Sequence, residues 1–249
     1  MPAARKLKIL QMVASPDAGG AEMFALRLLV ALARHPAIEQ QVVVRQGSWL
    51  AGELGRAGVV VHQVAFGGWL DGFLGLTRRR VQRIADEFAP DVVQSWMNRA
   101  TRDVPRGAWA RVGRLGGFYK LKNYMNKVDY IIGNTEQIRE YCVRGGWLRE
   151  KVKYLPNFVP EPLKGWRDAA SEVRRELGIT PQQRVLLQAG RLHKVKGGDV
   201  ALRALQKLPA EVVLVFAGEG PEREVWQNMA QKLGVAERVR FVGWTNTIA

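Results

Sequence analysis

The stretch Val185-Leu186-Leu187-Gln188-Ala189 is a compact apolar run of the kind that makes a buried parallel strand. It passes through Gly190-Arg191-Leu192-His193-Lys194-Val195-Lys196-Gly197-Gly198-Asp199 into Val200, Ala201, Ala204, Leu205 and Leu208, which fall at helical spacing. A strand that turns into a helix within one loop commits the chain to strands joined by helical crossovers. The loop holds three cations, Arg191, Lys194 and Lys196, and glycines that let a backbone come close to a guest. Amides at a helix start favour anions, and Arg and Lys beside them make phosphate the expected ligand. The alternative for this loop alone is a solvated basic turn.

The same unit recurs along the chain. Ile9 to Val13 leads through Ser15-Pro16-Asp17-Ala18-Gly19-Gly20 into a helix with Phe24, Leu28, Ala31 and Leu32 on one face, stopped by Pro36. Gln41 to Arg45 and Val59 to Val64 read as strands around a helical segment with Leu50 and Leu54. A helix capped by Thr77 carries Val81, Ile84, Ala85 and Phe88 and ends before Pro90. Asp91 to Ser95 and Asp129 to Asn134 are further strands, the second followed by a helix capped at Asn134 or Thr135. Three prolines between Pro156 and Pro162 mark a linker. Beyond it come a helix with Val173 and Leu177 inward, the strand at Val185, a strand at Val212 to Ala217, a helix with Val225, Met229, Ala230 and Leu233, and a strand at Val239 to Val242. The alternation predicts α/β architecture with parallel sheets covered by helices. The second set offers three strands where five or six are common, so the chain is expected to be a fragment with an open sheet edge.

Charge narrows the partners. The formal net charge is +15, and residues 1–160 hold 24 Lys and Arg against 13 Asp and Glu. Such a balance calls for a polyanionic neighbour: nucleic acid, an anionic membrane face or a phosphorylated substrate. Arg99, Arg102, Arg106, Arg111, Arg114, Lys120, Lys122 and Lys127 are interleaved with Trp96, Trp109, Phe118, Tyr119 and Tyr124, and the apolar stretch Trp69 to Leu76 precedes Arg78-Arg79-Arg80. Cations beside aromatics fit an anionic bilayer surface, with a buried loop and solvated arginines as the alternative. No apolar run is long enough to span a bilayer. Nucleic acid is disfavoured because no helix-turn-helix, RNA-recognition or zinc-finger pattern appears. The lone Cys142, four residues after Ile138, reads as a core thiol, and His35, His62 and His193 form no local cluster.

Gly190-Arg191-Leu192 with Lys196-Gly197, and Ala217-Gly218-Glu219-Gly220-Pro221 after the next strand, carry a family resemblance. Gly19-Gly20-Ala21-Glu22, Tyr154-Leu155-Pro156-Asn157 and Arg238-Val239-Arg240-Phe241-Val242-Gly243 support it. In their order and spacing, the chain resembles a family 4 glycosyltransferase of GT-B type, C-terminally truncated. The resemblance implies two Rossmann-like domains: an acceptor-side domain over residues 1–160 and a partial donor-binding domain over residues 161–249. It implies a retaining transfer of sugar from a nucleotide diphosphate donor to a membrane-associated glycan or lipid acceptor, as in lipopolysaccharide or polysaccharide synthesis. Arg191 and Lys196 would be the catalytic pair, clamping the diphosphate as its charge grows. Gly19, Gly20, Gly190, Gly218 and Gly220 would bind the donor. No cofactor beyond the donor substrate and no metal is expected, since no Asp-x-Asp occurs.

The chain departs from the family pattern in two places. The Glu-x7-Glu segment that meets the donor sugar is absent, and the loop where relatives carry a histidine reads Gly116-Gly117-Phe118-Tyr119. The competing expectation is therefore an inactive fragment that binds polyanions or nucleotides. The place of work implied by the resemblance is the cytoplasm, peripheral on the inner face of the membrane.

Overall fold

The computed structural model describes residues 5–67, 71, 74–159, 161 and 164–244. Two compact units divide the chain, Met1–Val159 and Pro160–Ala249.

The first unit runs β1 (Leu7–Val13), α1 (Gly20–Ala33), β2 (Ile38–Arg45), α2 (Trp49–Arg56), β3 (Val61–Val64), α3 (Leu76–Phe88) and β4 (Val92–Trp96). It continues with α4 (Met97–Thr101), β5 (Ala110–Leu115), β6 (Tyr130–Gly133), α5 (Glu136–Arg144) and β7 (Val152–Tyr154). Its seven strands form a parallel sheet in the order β3-β2-β1-β4-β5-β6-β7. Side chains alternate between the faces of a strand. Leu10, Met12 and Val43 therefore join Val81, Ile84, Ala85 and Phe88 of α3 in one core layer. Val13, Val42 and Val44 join Phe24, Ala25 and Leu29 of α1 and Leu50 and Leu54 of α2 in the other. On α1 the buried face is Phe24, Ala25 and Leu29, with Leu28 half-buried and the expected Ala31 exposed.

The start of α3 differs from expectation. Thr77 lies inside the helix, not at its cap: buried Asp71 accepts the Thr77 N–H (2.7 Å), and the Thr77 hydroxyl accepts from Phe66 N–H (3.1 Å). A carboxylate six residues upstream does the capping, which no local pattern signals. Of the apolar stretch before the arginines, Trp69, Leu70, Gly72 and Phe73 lie outside the described residues; Leu74 and Leu76 are exposed. At α5 Thr135 is the cap, its hydroxyl accepting from Ile138 N–H (3.2 Å), and Ile138 and Cys142 are both buried.

The acids along the sheet are used at the amino ends of strands. Asp91, before β4, accepts from Lys8 N–H (2.9 Å) and Arg5 (2.6 Å). Asp129, before β6, accepts from the Arg111 backbone (2.9 Å) and both arms of its guanidinium (3.0 and 2.5 Å).

In the second unit α6 (Trp166–Glu176) precedes β8 (Arg184–Ala189), α7 (Gly198–Gln206), β9 (Val212–Ala217), α8 (Arg223–Lys232) and β10 (Val239–Gly243). The sheet is parallel, in the order β10-β9-β8. Every residue of β9 is buried. Phe216 stacks on Phe241 at 4.9 Å and leans on Trp226 at 5.2 Å, over a core with Leu202, Leu205 and Leu214.

Four expectations fail here for one reason. β8 is an edge strand whose faces the helices leave largely uncovered, and Val185, Leu186 and Leu187 are exposed instead of buried. Among the described residues three strands stand under the helices, which narrows each helix's buried stripe to what β9 and β10 cover. Val173 on α6 and Val200 on α7 face outward, and Trp226 takes the place assigned to Val225.

The Arg111 bridge holds the Asp129 carboxyl below the usual carboxylate range. Its folded-state value is depressed, so its stabilisation is complete above that range and disappears as the pH falls through the lowered value. Asp129→Asn is expected to be less stable than wild type at pH 7. Its urea midpoint should fall less steeply than that of wild type between pH 6 and pH 2, and identical slopes would show that the bridge contributes nothing.

Candidate functional site

The carboxyl ends of parallel strands are where a doubly wound sheet receives ligands, and both units have distinctive chemistry there.

In the second unit the loops after β8, β9 and β10 are laced together. Gly190 N–H donates to Ala217 O (2.8 Å), Leu192 N–H to Glu219 O (2.9 Å), Glu222 N–H to Leu192 O (3.2 Å) and Gly218 N–H to Gly243 O (2.7 Å). Leu192 is buried in the core beneath, which turns its neighbour Arg191 outward. The approach is so close that a β-carbon on Gly218 would overlap the Gly190 carbonyl, and one on Gly220 would overlap the Leu192 backbone. Gly218 also sits at φ +142°. These two glycines are thus required for the loops to meet.

Lys194–Lys196 form a single 3-10 turn, held by His193 Nδ1 accepting from Val195 N–H (3.3 Å) and by Gln188 Nε2 donating to Lys196 O (2.7 Å). Gly197 and Gly198 open α7, and Gly198 lies flat under the Trp226 ring. Ala201 N–H is bonded back to Gly197 O (3.1 Å), so the amides before it point off the helix end beside Asp199. Arg191, Lys194 and Lys196 are exposed, and among the described residues their side chains meet no hydrogen-bond or ion-pair partner. Glu219 is spoken for by Arg223. The structure therefore gathers Gly190, Arg191, Lys196, Gly218 and Gly220 on adjoining loops of one unit.

Gly19 and Gly20 belong to the first unit, at the start of α1. Neither is a left-handed turn residue: Gly19 is extended at φ −154°, and Gly20 has open space where a side chain would be. Gly19 is kept bare by the buried Glu22 carboxylate, whose Oε2 lies 2.7 Å from where a β-carbon would stand.

Beside this helix start is a pocket of about 150 Å³, lined by Ala21, Phe24, Trp96, Arg114, Asn134 and Asn157, with Met97 and Gly116. It stands where the strand order reverses, β1 lying between β2 and β4. Trp96 is set by its indole N–H donating to the buried Gln11 Oε1 (2.9 Å). Met97 next to it has φ +59°, a costly conformation for a side chain of this kind.

Arg114 is 3% exposed. Its guanidinium lies 4.9 Å from the Phe24 ring centre and 5.3 Å from that of Trp96, and its Nη2 donates to Leu155 O (3.1 Å) and Asn157 Oδ1 (2.9 Å). No carboxylate pairs with it among the described residues, Nη1 has no partner, and burial pulls its pKa down to about 10. It is still charged at neutral pH.

Arg114, Trp96 and Tyr124 are internal groups, which removes them from the basic, aromatic surface expected of residues 96–127. Arg111 is bridged to Asp129, while Phe118 remains 65% exposed. The sequence reading missed the pocket, because Arg114 counts there as one cation in a row. The signal available was Asn157, in the Tyr154-Leu155-Pro156-Asn157 segment. Cys142 is no nucleophile: burial raises its thiol to about 11. His62 is half-buried and bonded to Gln41 Oε1 (2.7 Å), and no group of three or more metal-ligating side chains occurs among the described residues.

Comparison with known proteins follows the same line. Residues 170–249 match the family described as Glycosyl transferases group 1. The chain is 31% identical over 227 residues to the lipopolysaccharide core biosynthesis glycosyltransferase LpsD of Rhizobium meliloti, covering 91% of this chain and 63% of LpsD. It is 31% identical over 228 residues to LpsE of the same organism, covering 91% of this chain and 64% of LpsE. Among solved structures, Anabaena Alr3699/HepE in complex with UDP superposes with a TM-score of 0.77 at 20% identity, covering 97% of this chain and 70% of that one. The chain shares that fold. Its two parallel sheets flanked by helices are Rossmann-like units of GT-B type, the second smaller than the first. The chain spans less than two thirds of the length of LpsD or LpsE.

Because Gly218 combines a left-handed backbone with backbone contact, Gly218→Ala is expected to destabilise the second unit by about 1–3 kcal/mol. Gly20→Ala, into open space, should change stability by less than about 0.5 kcal/mol. Chemical denaturation of both variants checks the contrast.

Proposed function

We propose that this chain belongs to a glycosyltransferase that takes sugar from a nucleotide diphosphate donor and adds it to a growing glycan or lipid-linked acceptor in lipopolysaccharide or polysaccharide synthesis. The observation that carries the reading is the cluster on the second unit. Three cations without a partner among the described residues and a helix start converge on loops locked by Gly218 and Gly220. The kinship with LpsD and LpsE, named for lipopolysaccharide core synthesis, and with HepE, crystallised with UDP, points to the diphosphate of a uridine nucleotide as the guest.

In this reading Pro160–Ala249 is the donor unit and Met1–Val159 the acceptor unit. A leaving diphosphate gains negative charge as the sugar–oxygen bond breaks. Arg191 and Lys196 stabilise that charge more in the transition state than in the bound donor, and so act as the catalytic pair of a retaining transfer. Gly190, Gly218 and Gly220 shape the nucleoside side, and the amides of Gly19 and Gly20, at the start of α1, are of the kind that receive phosphate. Lys194 lends charge without a fixed contact.

The acceptor is held at a membrane. Leu74 and Leu76 are 47% and 52% exposed next to the exposed Arg78, Arg79, Arg80 and Arg83 on α3, an apolar tip with a basic flank suited to anionic headgroups. Among the described residues no helix is long and apolar enough to cross a bilayer. In this reading the contact is peripheral, on the cytoplasmic face.

Calorimetric titration with uridine, guanosine and adenosine diphosphates tests the donor site. Uridine diphosphate is expected to bind, and Arg191→Ala and Lys196→Ala each to cost about 1.5–3 kcal/mol, roughly a tenfold to hundredfold loss of affinity. A folded chain that binds none of the three, or binds equally well without both cations, would remove the donor assignment and favour a polyanion-binding role.

A further inference from the structure

We propose that the Arg114 pocket of the first unit is a subsite for an acidic sugar, with the guanidinium receiving a carboxylate or phosphate group carried on the ring. A charge taken out of water needs a partner of opposite sign or several good hydrogen bonds. Arg114 is 97% removed from solvent and has only two neutral oxygens on Nη2, two aromatic faces, and an idle Nη1. The acids of the sheet are committed elsewhere, Asp91 and Asp129 at the opposite, amino ends of the strands, and no pocket-lining residue is acidic. Glu22, next to the lining residue Ala21, has its carboxylate against Gly19. An arriving anion would complete the pairing that the fold leaves open.

The rest of the lining fits a sugar better than a free ion. Phe24 and Trp96 add apolar ring carbons to the lining, and the side-chain amides of Asn134 and Asn157 suit hydroxyl groups. At about 150 Å³ the space is below the roughly 300–1,000 Å³ of sites that enclose drug-sized ligands, which limits the guest to about one sugar unit. A purely structural role, with Arg114 only bracing residues 155–157, would explain Nη2 but not the idle Nη1 or the pocket. The inference rests on the transferase reading only in naming this sugar the acceptor.

Calorimetry on the full chain with D-glucuronate, D-galacturonate, glucose 6-phosphate, glucose and inorganic phosphate tests it, the uronates against the phosphate ester separating the two anionic groups. At least one acidic sugar is expected to bind tenfold or more tightly than glucose and than inorganic phosphate. Arg114→Met should bring it down to the glucose level, and Arg114→Lys should lose part of the preference by losing the fork. Asn134→Ala should weaken binding severalfold, with uridine diphosphate affinity unchanged in all three. Equal binding of charged and neutral sugars, binding of inorganic phosphate alone, or no binding by the folded chain would overturn the proposal. Should Arg114→Met fail to fold, Arg114→Lys and Asn134→Ala decide: full acidic-sugar affinity in both leaves Arg114 a brace. Acidic-sugar selectivity without nucleotide binding would sink the transferase reading and spare the pocket; the reverse pattern would sink the pocket alone.

Discussion

A parallel strand can follow another only if the chain crosses back over the sheet between them, so every strand-to-helix loop falls at the same end. That constraint arranges the chemistry of this protein. At the amino ends, where the chain merely re-enters the sheet, carboxylates hold strands in register: Asp91 against Lys8 and Arg5, Asp129 against Arg111. At the carboxyl ends stand the cations that lack such partners, Arg114 on one unit and Arg191, Lys194 and Lys196 on the other. Charges at the amino ends of the first sheet are thus paired, while Arg114 near its carboxyl end has no carboxylate partner among the described residues.

How much of this was readable before the coordinates depends on the range of the interaction. Strand and helix positions rest on local periodicity, and β1, α2, β9 and β10 fall where the apolar pattern puts them. Which face is buried is a question about neighbours. Val185-Leu186-Leu187 has the composition of an internal strand, yet β8 has only β9 beside it and stays open. Val225 and Trp226 are both apolar and adjacent, and only the stack of Phe216 and Phe241 decides that the larger ring goes in. Capping shows the same division. Thr135 was one of two adjacent candidates legible before α5, whereas Asp71 reaches Thr77 across six residues by a loop geometry that no motif encodes.

The candidate sites divide likewise. Arg191 and Lys196 stand within one loop, so spacing finds them. Gly218 and Gly220 announce themselves as glycines, although their reason, contact with the backbone of Gly190 and Leu192, is tertiary. The Arg114 pocket draws on Phe24, Trp96, Asn134 and Asn157, from four separate segments, and its defining property is burial. A row of eight cations between Arg99 and Lys127 gives no hint that one of them lies inside and the others do not.

Burial changes what a cation can do. Exposed Arg191 and Lys196 keep their hydration, so each contributes little until a multiply charged ligand engages several donors at once; strength comes from the number of contacts. Arg114 has already lost its water, and the rings of Phe24 and Trp96 and the oxygens of Leu155 and Asn157 offset that cost only in part, since Nη1 has no partner among the described residues. A single anion reaching it then meets a low-dielectric, preorganised donor, where charge discrimination is steep. In the proposed reading, the loop of Arg191 and Lys196 holds a common, highly charged group, and the internal arginine tells a neutral sugar from an acidic one.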